Sequence, residues 1–97
     1  MPKGYWIAHV TVTDPDTYPN YVSGARAAFE KYGAKFLARG GAWEDCEGEM
    51  GRERHVLIEF PSLQAAHDCY HSPEYQAARA HRVDAGIATI ILTEGLE

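Results

Sequence analysis

Four short segments of this chain alternate in polarity, and in each of them one of the two alternating sets of residues is entirely apolar. Successive side chains of a β-strand point to opposite faces of a sheet, so each set occupies one face. A face this apolar has to be covered by the rest of the chain. Across residues 4–13, 35–39, 54–60 and 87–93 the set comprises Trp6, Ala8, Val10, Val12, Phe36, Ala38, Val56, Ile58, Phe60, Ala88, Ile90 and Leu92.

The segments between these strands have helical spacing. A first helix is capped by Asp14 or Thr17 and ends at Gly33, a residue type that favours the position after a helix. A second helix begins after Ser62 and is broken at Pro73, which is tolerated only in a first helical turn. The inward residues of the first helix recur three and four apart and are Tyr18, Tyr21, Val22, Ala25, Ala28, Phe29 and Tyr32.

The resulting order β-α-β-β-α-β predicts a ferredoxin-like α+β fold. Its four-stranded antiparallel sheet has the spatial order 4-1-3-2, and both helices lie on one face, the second broken at Pro73. A chain of 97 residues fits a single domain over residues 1–97. We expect the second strand to bulge or bend at Gly40 and Gly41, to continue over residues 42–47, and to turn back through a hairpin at residues 48–51.

The second alternating set predicts self-association. A sheet face in contact with water is mostly polar. Here the face away from the helices would expose an apolar patch larger than a soluble monomer usually shows. Two copies packed face to face about a two-fold axis would cover it, so a homodimer is expected. The apolar members of this set are Tyr5, Ile7, Leu37, Leu57, Ile87 and Ile91.

The same set carries three polar residues on neighbouring strands, His9, Arg39 and Glu59. One interpretation is structural: Arg39 pairs with Glu59, and His9 is hydrogen-bonded nearby, because charges in a dry interface need partners. The other is catalytic: His9 or Glu59 accepts a proton, and Arg39 holds an anionic or enolate oxygen. The spacing leaves both interpretations open.

Five further residues are candidates for contact with a ligand. Tyr5 and His55 share the face that carries His9, and Tyr70 and Tyr75 would edge a pocket between helix and sheet. Tyr21 is the fifth, although it and the other tyrosines of the first helix are also explained as core residues with wet hydroxyls. The helix break around Pro73 has a complete structural explanation as a cap and first turn.

Charge and composition exclude several classes of function. The net charge of −5 and the scattered basic residues disfavour a nucleic-acid partner. No apolar run approaches the ~20 residues that span a bilayer, so no membrane association is expected. Without a signal peptide, Cys46 and Cys69 are interpreted as reduced thiols of a cytoplasmic protein. His67 and His71 have a zinc-helix spacing but lack its glutamate, so neither metal nor cofactor is expected beyond adventitious surface binding.

The chain resembles a bacterial family known as domain of unknown function 1330. The resemblance covers nearly the whole chain and rests on residues 4–8 (GYWIA), 36–41 (FLARGG), 58–62 (IEFPS) and, most specifically, 70–76 (YHSPEYQ). It implies a dimeric α/β barrel built from two ferredoxin-like sheets. Wider structural relatives include cofactor-free monooxygenases, lactone isomerases, haem-degrading enzymes and ligand-binding regulators, so the resemblance implies a fold and leaves the activity open.

Two functional hypotheses follow. In the first, the homodimer binds a small metabolite in a pocket at the open sheet face, with cofactor-independent proton transfer or oxygenation as the reaction class. In the second, the protein is a non-catalytic binding or stress-related module whose polar sheet residues only close the dimer interface.

Overall fold

A computed structural model describes residues 2–96. Its elements follow the predicted order, with the second helix divided in two. They are β1 (Gly4–Val12), α1 (Tyr18–Lys31), β2 (Lys35–Arg39), β3 (Arg54–Phe60), α2 (Leu63–Tyr70), α3 (Pro73–Arg82) and β4 (Gly86–Glu94).

The four strands form one antiparallel sheet in the order β2-β3-β1-β4. Read from the other edge this is 4-1-3-2, which confirms the ferredoxin-like prediction. The two central strands, β1 and β3, pair without a shift from Gly4 opposite Phe60 to Val10 opposite Arg54. This regular centre holds the side chains of both faces at fixed positions.

The helices begin and end where the sequence indicates. Ser62 and Ser72 cap α2 and α3, and their hydroxyls accept hydrogen bonds from the backbone N–H groups of Ala65 and Tyr75 at 3.0 and 3.1 Å. At α1 the N-cap is Thr17, whose side chain makes no capping bond; the Asp14 carboxylate instead accepts from the Thr17 hydroxyl at 2.8 Å and from the backbone N–H groups of Asp16 and Thr17. Within residues 2–96, no helix combines the length and apolar character needed to cross a membrane.

The core lies between the helices and the apolar sheet face, and Trp6 is at its centre. Trp6 is 1 % exposed, and its ring packs against the rings of Phe29, Phe60, Tyr70 and Tyr75 at centroid distances of 4.9–6.0 Å. Edge-to-face and offset contacts of this kind add to the free energy gained by burying the rings. The cluster joins β1, α1, β3 and α2–α3 into one unit.

The predicted bulge exists, but it lies three residues earlier than expected. Phe36 pairs with Ile58 and Ala38 pairs with Leu57, so Leu37 is the extra residue in β2. An extra residue reverses the direction of every side chain that follows it in the strand. The prediction that Ala38 faces the helices is therefore wrong, and so is the prediction that Arg39 lies on the opposite face.

The connection between β2 and β3 also differs from the prediction. Residues 42–47 do not continue the strand, and no hairpin turn occurs at residues 48–51, since β2 ends at Arg39 and β3 begins at Arg54. Nearly all of residues 40–53 are exposed. Five carboxylates occupy this loop, and their mutual repulsion and hydration disfavour an edge strand; they are Glu44, Asp45, Glu47, Glu49 and Glu53.

Candidate functional site

A cavity of about 240 Å³ lies between the sheet and the helices α1 and α3. We call it the arginine cavity. Its floor is the apolar sheet face, with Trp6, Val56 and Ile58 among its residues, and α1 forms one wall. Its polar lining consists of Tyr18, Tyr21, Arg26, Glu30, Arg39, Arg54 and Arg82.

Arg82 is the residue that sets the electrostatics of this cavity. It is only 7 % exposed, and its Nε is buried without a hydrogen-bond partner. Among residues 2–96, no carboxylate lies within 4.0 Å of the Arg82 guanidinium. A guanidinium remains charged in proteins, and a buried charge without a counter-ion is unfavourable by several kcal/mol. The site therefore favours an anion.

Two tyrosines hold Arg82 in place. The hydroxyl groups of Tyr21 and Tyr75 are 2.9 Å apart and share a hydrogen bond, and the Arg82 Cζ lies 5.2 Å from the centroid of the Tyr21 ring. Burial raises the pKa of both hydroxyls, and the proximity of Tyr75 raises that of Tyr21 further. Both tyrosines are thus neutral at physiological pH, and they contribute dipoles rather than a charge that would neutralise Arg82.

Arg54 supplies a second cation beside Tyr18. Its Nε is also buried without a partner, and its position opposite Val10 directs it toward the helices. Burial raises the pKa of Tyr18, while the positive charges of Arg54 and Arg82 partly offset the rise. The Arg54 guanidinium lies against Gly40, whose φ of +70° is a conformation that favours glycine.

Arg39 is brought into the same cavity by the bulge at Leu37. Opposite Val56, it lies on the helix side of the sheet, and its Cζ is 3.8 Å from the centroid of the Phe36 ring. This cation–π contact positions the guanidinium without neutralising it. Glu30 is the carboxylate of the lining, and it is exposed at the margin.

The structure separates the three residues that the sequence placed together. His9 and Glu59 lie on the open face, meaning the sheet face away from the helices, while Arg39 lies on the other side. His9 is opposite His55, with their Nδ1 atoms 2.7 Å apart, and Glu59 is opposite Tyr5 at the other end of the strands. The partner of Glu59 is Lys3 at 3.8 Å, so the expected pair with Arg39 does not form.

The remaining predicted contact residues divide between the two faces. Tyr5 and His55 lie on the open face, Tyr21 lines the arginine cavity, and Tyr75 is buried behind Tyr21. Tyr70 packs against Trp6 and is not part of the lining.

Sequence reasoning missed Arg54 and Arg82. A signal for each was present. Arg82 follows Tyr75 and Ala78 by seven and four residues, which places it on the inward stripe of α3. Arg54 alternates with Val56 and Ile58 on the apolar side of β3. A basic residue at an inward position of an amphipathic element has to be either paired or functional.

Replacing Arg82 by methionine is expected to raise the free energy of unfolding by about 1–2 kcal/mol, because it removes an unpaired buried charge at similar volume. Urea unfolding measures the change, with Arg79→Met on the same helix as a control expected within about 0.5 kcal/mol. A loss of stability in Arg82→Met would mean that Arg82 serves the fold and not a ligand.

Comparison with protein families identifies the relationships of the chain. The model of the family described as domain of unknown function (DUF1330) matches residues 3–96. No protein of curated function matches the chain significantly.

Solved structures with the same fold cover almost the whole chain. A protein of unknown function from Rhodopseudomonas palustris is 21 % identical with a TM-score of 0.76, covering 99 % of this chain and 84 % of its own. The cofactor-independent oxygenase SnoaB from Streptomyces nogalater is 12 % identical with a TM-score of 0.67, and the match covers 100 % of this chain and 96 % of SnoaB. A dimeric ferredoxin-like protein of unknown function from Bacteroides fragilis is 13 % identical with a TM-score of 0.61, covering 95 % of each chain. At these identities the similarity establishes the fold.

Proposed function

The chain belongs to the family described as domain of unknown function 1330, and from its arginine cavity we propose that it binds a small organic acid. The observation that carries this proposal is the buried Arg82 guanidinium without a counter-ion among the described residues. A carboxylate placed there would accept charge-assisted hydrogen bonds from Arg82. Arg54 lines the same cavity, near Tyr18, and would donate to the same ligand.

The shape of the arginine cavity favours a ligand with one ring. Its volume of about 240 Å³ exceeds the ~150 Å³ of a dry cavity that holds benzene. Trp6 and Ile58 offer an apolar floor for a ring, and the arginines offer donors for a carboxylate or enolate oxygen. Ligand sites typically combine such an apolar lining with a few polar anchors. An aromatic or otherwise unsaturated acid fits both features.

The reaction class that we propose for this site is cofactor-independent proton transfer. Arginines that hold a developing enolate would stabilise the product of C–H deprotonation, and Glu30 is the carboxylate of the lining that could accept the proton. An enolate can react further with dioxygen, and one structural relative is a cofactor-independent oxygenase. The alternative is that the cavity binds the acid without catalysing a reaction, as in a non-catalytic binding protein.

We also propose that the protein is a homodimer joined through the open face. Three large apolar side chains there remain about half exposed, namely Leu37 at 44 %, Ile87 at 52 % and Ile91 at 53 %. One structural relative is described as dimeric. In this arrangement His9 and Glu59 belong to the interface, and of the three residues first considered catalytic only Arg39 belongs to the site.

Benzoate is the first probe of the cavity. We expect it to raise the midpoint of thermal unfolding. At a benzoate concentration of a hundred times the dissociation constant, the free energy of unfolding should rise by about 2.7 kcal/mol. Benzamide, which has the same shape without the charge, should have little effect. Arg82→Met and Arg54→Met should each abolish the benzoate shift, whereas Arg79→Met should retain it. An equal response to benzoate and benzamide, or an unchanged shift in Arg82→Met, would refute the anion site.

The dimer is tested by introducing a charge on the open face. We expect the wild type to have twice the chain mass of 10.8 kDa at low micromolar concentration. Ile91→Glu should convert it to a monomer, because the carboxylate would be buried at the interface. Val83→Glu is the matched control, since Val83 is 54 % exposed at the end of α3 and away from this face. Light scattering that shows a wild-type monomer would contradict the proposal.

A further inference from the structure

The open face holds a pair of histidines that neither the arginine cavity nor the fold requires. His9 and His55 are directly opposite each other on the central strands, and their Nδ1 atoms are 2.7 Å apart. The Nε2 of His55 is buried without a partner, and the ring of Trp43 packs against the His55 ring at 4.5 Å. The two imidazoles thus direct one nitrogen each toward the same point.

We propose that His9 and His55 chelate a divalent transition-metal ion of the class that prefers imidazole, with Cu²⁺ bound most tightly and Ni²⁺ and Zn²⁺ more weakly. Metal–imidazole bonds are about 2.0–2.1 Å long, so ligand angles between a right angle and a tetrahedral angle place the two nitrogens about 2.9–3.4 Å apart. The observed separation of 2.7 Å needs to open by only a few tenths of an ångström. The preference for Cu²⁺ follows the general order of metal affinities.

The strands make this pair a preorganised chelate. β1 and β3 are hydrogen-bonded in register on both sides of the histidines, so the backbone cannot move them apart. A metal ion would displace the single proton that the two facing nitrogens share.

The coordination sphere would remain partly open. Within residues 2–96, no group of three or more His, Cys, Asp and Glu side chains is arranged to hold a metal. Two imidazoles would therefore be completed by water or by a small ligand. If two copies pack through the open face, as proposed above, the metal would lie at their interface; the chelation itself does not rest on the dimer or on the anion site.

Trp43 provides a reporter for this site. Cu²⁺ quenches a nearby indole, and Trp43 is in contact with His55, whereas the other tryptophan, Trp6, is in the core on the opposite side of the sheet. We expect CuCl₂ titrated into the full-length protein at pH 7 to quench the Trp43 emission by more than half and saturably. A Trp43→Phe variant should lose this response while keeping the Trp6 emission.

The variants separate this pair from the second histidine pair on the surface. His67 and His71 on α2 have ring centroids 4.4 Å apart and would bind copper as a simple surface site. We expect His9→Ala and His55→Ala each to raise the Cu²⁺ concentration at half-maximal Trp43 quenching at least tenfold. The double variant His67→Ala/His71→Ala should leave that concentration unchanged. Quenching that persists in both single variants, or that disappears in the α2 variant, overturns the proposal.

A conservative variant and a spectroscopic measurement test the site if an alanine variant fails to fold. Thermal unfolding identifies such a variant, and the partly exposed His9 can then be replaced conservatively by His9→Gln. X-ray absorption at the copper edge should show two imidazole nitrogens in the His67→Ala/His71→Ala variant, in which the α2 pair is absent. A spectrum with only oxygen or amide ligands would overturn the proposal without any substitution at His9 or His55.

Discussion

The packing of Trp6 is the contact on which the rest of the structure depends. Its ring lies between the sheet and the helices, and it meets Tyr75 at a centroid distance of 4.9 Å. Tyr75 shares a hydrogen bond with Tyr21, and Arg82 lies beside both hydroxyls. The aromatic core thus extends directly into a polar site. The neutral hydroxyl dipoles beside the buried Arg82 guanidinium solvate its charge without neutralising it.

One extra residue in β2 determines what the arginine cavity contains. Without the bulge at Leu37, Arg39 would lie on the open face with His9 and Glu59. With it, Arg39 joins the other three arginines of the cavity lining on the helix side, while the open face keeps an apolar surface and the histidine pair. In the proposed function the two faces have separate roles, with ligand binding on the helix side and self-association through the open face.

Alternation and helical spacing are sufficient to predict four strands and the helix break at Pro73, because these depend on local pattern. The sheet order follows from the β-α-β-β-α-β order of the elements, whereas the predicted continuation of β2 over residues 42–47 is wrong. The site was not predicted, for two physical reasons. A bulge reverses side-chain direction but has no reliable signature when its residue is an ordinary leucine. Furthermore, the polar residues of the open face stand out among its apolar side chains, whereas Arg54 and Arg82 lie at the ends of their elements, where a basic residue is also explained by exposure to solvent.

Binding of an organic anion by the Arg82 guanidinium, as proposed, is measured most directly in the ¹H–¹⁵N spectrum of the arginine Nε–H groups during addition of benzoate. The Nε atoms of Arg82 and Arg54 are buried without partners, so new hydrogen bonds to a carboxylate should move their protons downfield and slow their exchange with water. The Arg82→Met variant assigns the signal. An Arg82 resonance that does not change, while benzoate perturbs only surface arginines or the open face, would mean that Arg82 does not bind the anion.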